Sequence, residues 1–252
     1  MLNSPLLDFS LWQLIGVAVL FVWTGFVRSG LGFGGAALGL PLMLFIYDQP
    51  LFWLPVIGLH LLFFSAITLR TRIDNVDWRY LKLVAPYVIP AALVGVLGLV
   101  NLPNLWLVVF IYSITLFYAV LWTLNIAITS SSTWSDKVLL ALGGYVAGTS
   151  LTGAPLMIAV FMRNVVREQL RNTLFVLWFI LVSIKMTAFV SLGVTLHWQS
   201  SLVLIPIAAI GHVLGLKAHD YILRNDALFK QVIGGALTIV SGLGLWQVLA
   251  AA

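Results

Sequence analysis

Residues Gly30 to Met43 read GLGFGGAALGLPLM, a glycine-rich run closed by proline and set in almost unbroken apolar sequence. Glycine removes side chains and lets other groups approach the backbone, while Pro41 withdraws a backbone donor and breaks or starts a helix. A phosphate-cradling Walker loop would need a Gly-Lys-Ser/Thr ending, which this stretch lacks. Its decisive property is that it recurs. Gly144 to Met157 read GYVAGTSLTGAPLM, and at one constant offset Gly30, Gly34, Gly39, Pro41, Leu42 and Met43 fall on Gly144, Gly148, Gly153, Pro155, Leu156 and Met157. Shared hydrophobicity alone does not match three glycines and a proline.

The surrounding composition sets the environment. The 252 residues are 62% hydrophobic and 8% charged, with a mean hydropathy of +1.08; a soluble domain carries about 25% charged residues. Several runs reach the roughly 20 apolar residues that span a hydrocarbon core. Strict alternation over segments of about 10 residues, the mark of a membrane barrel, is missing. The chain therefore reads as a polytopic α-helical membrane protein whose surroundings are a lipid bilayer. The net charge of +5 reports orientation through cytoplasmic loops, so nucleic acid is not an expected partner. With no cysteine, thiolate metal sites and iron–sulfur clusters drop out, and no metal or cofactor is expected. The first ten residues hold no lysine or arginine, unlike the basic start of a signal peptide.

Apolar segments run over 11–27, 30–47, 50–69, 81–100, 104–127, 137–149, 152–162, 172–193, 199–216 and 229–250. The connections 46–50, 101–104 and 194–199 hold no lysine or arginine. By contrast Arg70, Arg72, Arg79 and Lys82 fill one connection, Arg163, Arg167 and Arg171 another, and Lys217, Arg224 and Lys230 a third. Basic loops inside then place both termini outside. Segments 137–149 and 152–162 each reach only about 20 Å, short of the roughly 30 Å core. They read as a re-entrant hairpin with GTSLTG at its tip, which is tolerable only if buried in protein or lining a watery cavity.

The repetition continues past the glycine runs. Trp78, Pro86 and Gly95 share their mutual spacing with Trp198, Pro206 and Gly215, while matching loops carry opposite charge. The expected fold is an all-α polytopic membrane protein of two inverted-topology repeats, 1–128 and 129–252, within a single integral membrane domain. Each repeat is a Gly/Pro-broken re-entrant hairpin followed by three transmembrane helices. Transporters of this architecture bind substrate where the interrupted elements meet; a duplication kept only for small-residue helix packing is the plainer alternative.

GFGGAALGLPL at 32–42 and GTSLTGAPL at 148–156 resemble the two glycine-proline signatures of the sulfite exporter TauE/SafE family, and element order and length agree over nearly the whole chain. Ala36 departs from the third glycine many members carry, which bears on fine substrate fit. The resemblance implies transport of small sulfur anions, such as sulfite, thiosulfate or organosulfonates, across the bacterial cytoplasmic membrane.

Charge supplies an independent argument. Of thirteen lysines and arginines, eleven lie in the inside connections or next to them, counting Lys137, and Arg28 and Lys185 are left over. Lys185 lies past the centre of 172–193, where a charge costs a few kcal/mol and should face protein or a watery path; snorkelling to the outer interface is the alternative. Arg28 enters the interior if the first half forms a hairpin like the second, and is an inside charge if 11–27 and 30–47 both cross. Half-helix N-termini offer free N–H groups. The hydroxyls of Thr149, Ser150 and Thr152 either donate to sulfonyl oxygens or cap broken backbone. The expected binding set for a small anion is Arg28, Gly30, Gly32, Gly34, Gly35, Pro41, Gly148, Thr149, Ser150, Thr152, Gly153, Pro155 and Lys185.

All eight acids, Asp8, Asp48, Asp74, Asp77, Asp136, Glu168, Asp220 and Asp226, fall at connections or termini, leaving no mid-span carboxylate to carry a proton. An anion leaving the cell gains about 2.3 kcal/mol per charge per 100 mV, so export or facilitated passage is expected over coupled uptake. His60 and His212 are candidate proton relays or packing residues. Trp12, Trp53, Trp78, Trp106, Trp134 and Trp198 lie near segment ends, as an interfacial belt would. No HExxH, GxSxG or paired carboxylate suggests an enzyme. A channel stays open as a competing class, as does assembly into a homo-oligomer.

Overall fold

A computed structural model describes residues 5–31, 34–70 and 73–251, the side chains of Asp220, Leu223 and Asp226 excepted. Gly32, from the expected binding set, and Arg72, from the first basic connection, lie outside the described residues. After a 3-10 turn at Pro5–Asp8, the described chain is helical and without strands: α1 (Leu11–Leu31), α2 (Gly35–Leu44), α3 (Pro50–Leu69), α4 (Trp78–Asn101), α5 (Asn104–Thr123), α6 (Thr133–Ser150), α7 (Ala154–Asn164), α8 (Arg167–Ser191), α9 (Trp198–Arg224) and α10 (Asp226–Ala250).

Among the described residues, seven helices are long and apolar enough to cross a membrane: α1, α3, α4, α5, α8, α9 through His219, and α10 from Ala227. Their outer faces are apolar too. Leu83, Val94 and Leu97 on α4, Val203 and Ile210 on α9, and Val232, Ile239 and Trp246 on α10 are exposed. A soluble monomer rarely presents so much contiguous apolar surface; hydrocarbon is the solvent that suits it. By contrast α2 and α7, of 10 and 11 residues, reach only about 15–17 Å.

Helix starts lie ahead of the apolar runs where polar caps extend them. Asp77 accepts from the Tyr80 N–H at 2.8 Å, so α4 begins before residue 81. A capping box between Ser132 and Ser135 starts α6 at Thr133, satisfying orphan donors that hydropathy does not register.

The chain forms two compact units, each drawing on both sequence halves. The first unit is Met1–Val56, Pro103–Ala127 and His197–Ala252; the second is Ile57–Leu102 and Ile128–Leu196. In the first, α1 packs along α9 and α5 along α10. In the second, α4 packs along α6, and Val84, Val88, Leu140, Met157, Phe161 and Phe175 lie in its core.

Glycine sets the depth of both long seams. A Cβ on Gly25 would lie 2.2 Å from Ala208 O, and one on Gly215 would lie 2.3 Å from Phe26 O and 3.0 Å from Gly30 N. In the second unit, a Cβ on Gly144 would lie 2.5 Å from Val88 O, and one on Gly95 would lie 2.3 Å from Tyr145 O and 3.0 Å from Thr149 N. Such approaches exclude any side chain. They pair Gly25 with Gly144 and Gly30 with Thr149 as like positions, whereas the sequence match paired Gly30 with Gly144. The Trp, Pro and Gly match between α4 and α9 holds, with Trp78 and Trp198 each the first residue of its helix.

Each seam helix that precedes a break is followed by a short helix folded back along it. Gly35 packs at Thr24 and Arg28, Gly39 packs at Thr24, and Gln13 Nε2 donates to Ile46 O at 3.2 Å. In the second unit Gly143 packs against Met157 and Leu156. There Arg163 and Asn164 each donate to Asp136 at 3.2 Å, so the end of α7 is tied to the start of α6.

One expectation from the aromatic belt is overturned. Trp12, Trp78, Trp106, Trp134 and Trp198 are exposed, but Trp53 is fully buried. Its Nε1 donates to Tyr47 O at 2.7 Å, and its ring packs with Phe9, Phe21 and Phe52. Proximity to a helix end misled here because neighbouring aromatics supply the partners that interfacial water would otherwise offer.

Candidate functional site at the two helix breaks

In the second unit α6 ends at Ser150 and α7 begins at Ala154. Leu151, between them, has φ 60 and ψ 17, a left-handed conformation uncommon outside glycine. The expected hydroxyls do gather here, and they are buried: Thr149 is 3%, Ser150 0% and Thr152 0% exposed. Thr149 Oγ1 donates back to Tyr145 O and Val146 O. Ser150 Oγ donates to Val146 O at 3.0 Å. With that hydrogen committed, Thr152 supplies the one in its 2.6 Å contact with Ser150. Of the two roles open to these hydroxyls, local capping is the one they occupy in this conformation.

Lys185, from the C-terminal half of α8, is 1% exposed. Its Nζ donates to Gly148 O at 2.7 Å and Thr149 O at 2.9 Å and stands 5.4 Å from the Phe189 ring centroid. It faces protein and does not snorkel outward. The carbonyls it holds belong to the last turn of α6, where backbone acceptors lack helical partners and a cation is favoured. Gly153 precedes α7 without any side-chain cap, and Pro155 lies in the first turn of α7, where its missing N–H costs nothing.

In the first unit α1 ends at Leu31 and Gly34 precedes α2. Gly34 takes φ 86, which glycine alone adopts freely, and like Gly153 it brings no capping side chain to the helix it precedes. Gly34 and Gly153 thus hold like places; Gly148, its sequence match, sits inside α6. Pro41 lies within α2. Arg28 is buried at 5% exposure, on the last turn of α1 and against the start of α2 at Gly35. His212 Nδ1 is 2.5 Å from Ser29 Oγ, and His219 Nδ1 is 2.6 Å from Gly30 O. His60 belongs to the second unit, buried edge-on to Phe64.

Ser29 and His219 were not singled out from sequence. The available signal was the interval of seven residues between His212 and His219, which puts both on one face of a helix. Among the described residues no three His, Asp or Glu side chains gather as a metal site would require.

Seven apolar spanning helices with buried polar breaks define a multi-pass helical membrane protein. The chain belongs to the sulfite exporter TauE/SafE family, which matches it over residues 17–244, and is therefore a membrane-transport protein. No curated protein matches it, and no solved structure does.

Proposed function

We propose that this chain is a secondary transporter that exports small sulfur anions, such as sulfite, thiosulfate or organosulfonates, across a bacterial cytoplasmic membrane. Its halves are inverted repeats, with α1–α2 and α6–α7 as re-entrant hairpins. Opposite charge in matching loops supports the inversion, and the like seams of α1 with α9 and α6 with α4 support the duplication.

One observation carries the placement of the anion. At both breaks the carbonyl end of the first helix is occupied by a basic side chain, Lys185 at Thr149 O and His219 at Gly30 O. The residue that precedes the following helix is a glycine at both breaks, Gly34 and Gly153, and brings no side chain to cap it. The carbonyl end is closed by a donor and the amide end opens on glycine, an arrangement that suits an anion at the amide end. Backbone N–H groups at the starts of α2 and α7 are the donors in this reading, Arg28 adds charge, and Thr149, Ser150 and Thr152 shape the break. Family membership supports the sulfur chemistry. Export follows the interior-negative potential, about 2.3 kcal/mol per charge per 100 mV.

Flux from proteoliposomes loaded with sulfite, thiosulfate, an alkanesulfonate, phosphate or chloride tests this. Sulfur oxyanions are expected to leave faster under an interior-negative potential. Equal rates for all five would remove the substrate class, and single-channel currents would replace a transporter with a channel.

A further inference from the structure

A cleft of about 570 Å³ opens at the start of α4, within the second unit, lined by Asp77, Arg79, Tyr80, Lys82, Leu83 and Asn164. It joins the first turns of α4 to the last residue of α7. Arg79 and Lys82 are exposed there, three residues apart on one helix face. Neither has a hydrogen-bond or ion-pair partner among the described residues. The carboxylates that could answer them are engaged elsewhere. Asp136 is held by Ser130, Arg163 and Asn164, and Asp77 caps α4 through the Tyr80 N–H.

The lining charges leave one positive in excess, two cations against the carboxylate of Asp77. A ligand that completes the cleft therefore carries one negative charge. Asn164 gives its amide hydrogens to Asp136 and to Val160 O, so towards a ligand it only accepts, as the ionised Asp77 does. The matching molecule brings an anionic group for the cations and hydroxyls for these two acceptors.

The surroundings say where such a molecule comes from. Basic loops face the cytoplasm, so the start of α4 meets the leaflet whose anionic lipids attract lysine and arginine. From the cleft an exposed apolar stripe of Leu83, Pro86, Pro90, Val94 and Leu97 runs along one face of α4. From Leu83 to Leu97 it extends about 21 Å, more than half of a roughly 30 Å hydrocarbon core. A charged headgroup site thus continues directly into a track for an acyl chain.

We propose that this cleft binds the headgroup of phosphatidylglycerol from the cytoplasmic leaflet. Arg79 and Lys82 hold the phosphodiester, Asp77 and Asn164 accept from the glycerol hydroxyls, and an acyl chain lies along the α4 stripe. A phosphodiester carries one charge and two free oxygens, which a guanidinium meets as a fork and an ammonium as a point charge. The bound lipid bridges the start of α4 and the end of α7, and so stabilises the fold by mass action. The site is independent of which anion is transported.

Thermal unfolding of the purified full chain, with phosphatidylglycerol, phosphatidylethanolamine or phosphatidylcholine titrated into the detergent, tests this, and intact-mass spectrometry counts the lipids retained. Phosphatidylglycerol is expected to raise the unfolding temperature saturably, with one molecule retained, and the two zwitterionic lipids to leave it nearly unchanged. The double variant Arg79→Gln, Lys82→Gln should melt like wild type in phosphatidylcholine and lose on the order of thirtyfold in affinity for phosphatidylglycerol. Lys217→Gln, which removes an exposed cation of the first unit, should bind it as wild type does. Equal stabilisation by all three lipids, or unchanged affinity in the double variant, overturns the proposal. An equal loss in Lys217→Gln would make the attraction a diffuse one and overturns it too. The same rise with inorganic phosphate would make the cleft a free-anion site, which overturns the lipid as its occupant. Should the double variant not fold, the comparison of the three lipids and phosphate on wild type decides.

Discussion

Lys185 Nζ, from the C-terminal half of α8, donates to Gly148 O at 2.7 Å and Thr149 O at 2.9 Å, closing the carbonyl end of α6 with a buried amine. Lys185→Met keeps a similar apolar stem and removes both donations. Two buried acceptors then lose their partner, and each such loss costs about 1–3 kcal/mol. The variant should unfold at clearly lower temperature in detergent, by on the order of 3 kcal/mol in all. A melting curve matching wild type would show that these carbonyls do not depend on Lys185.

Gly211, in the seam of α9 with α1, and Gly235, on an open face of α10, should respond in opposite directions. A Cβ on Gly211 would lie 1.8 Å from Val22 O, while Gly235 faces open space. Gly211→Ala must push α9 away from α1, an overpacking penalty of about 1–3 kcal/mol or more. Gly235→Ala meets nothing and gains up to about 1 kcal/mol of helix propensity. Thermal unfolding of the two variants checks both, and equal shifts would mean that the seam yields more easily than its backbone contacts imply.

Thr152 separates the two roles open to the hydroxyls at the break. Its hydrogen is directed at Ser150 Oγ, inside the chain. Thr152→Val should therefore cost about 1 kcal/mol of stability and leave anion flux within about threefold, which is under 1 kcal/mol of binding. A loss nearer a hundredfold in flux, with the fold intact, would make the hydroxyl an anion donor in its own right.

Much of this was legible in the residues because the physics is local. Apolar runs located the ten α-helices of the described residues, and the two glycine-proline runs located both breaks. What stayed hidden depends on tertiary register. Matching glycine to glycine paired Gly34 with Gly148, but the backbone pairs Gly34 with Gly153. Glycine is demanded both where α1 and α6 press against α9 and α4 and where the chain turns, so like residues serve unlike places. Burial of Arg28 could not be chosen from sequence, since it turns on α2 being ten residues and folding back. The partners of Lys185 were equally invisible, as the carbonyls of Gly148 and Thr149 lie far from it in the chain.

His197 gives the fold a pH dependence separate from transport. It precedes α9 with φ 48 and ψ 41, its ring is 4.8 Å from that of Phe52, and burial lowers its pKa from the usual 6.5. As pH falls through 6.5, the unfolded chain takes up this proton before the folded one, so folding loses stability from there down to the depressed folded value. Above 6.5 both states are neutral and the contribution is fully present. His197→Asn suits the left-handed backbone and has nothing to titrate in this range. Unfolding temperature followed from neutral to mildly acid pH should fall less in His197→Asn than in wild type, with the two curves parallel above pH 6.5. Parallel curves throughout would show that the ring is as well solvated folded as unfolded.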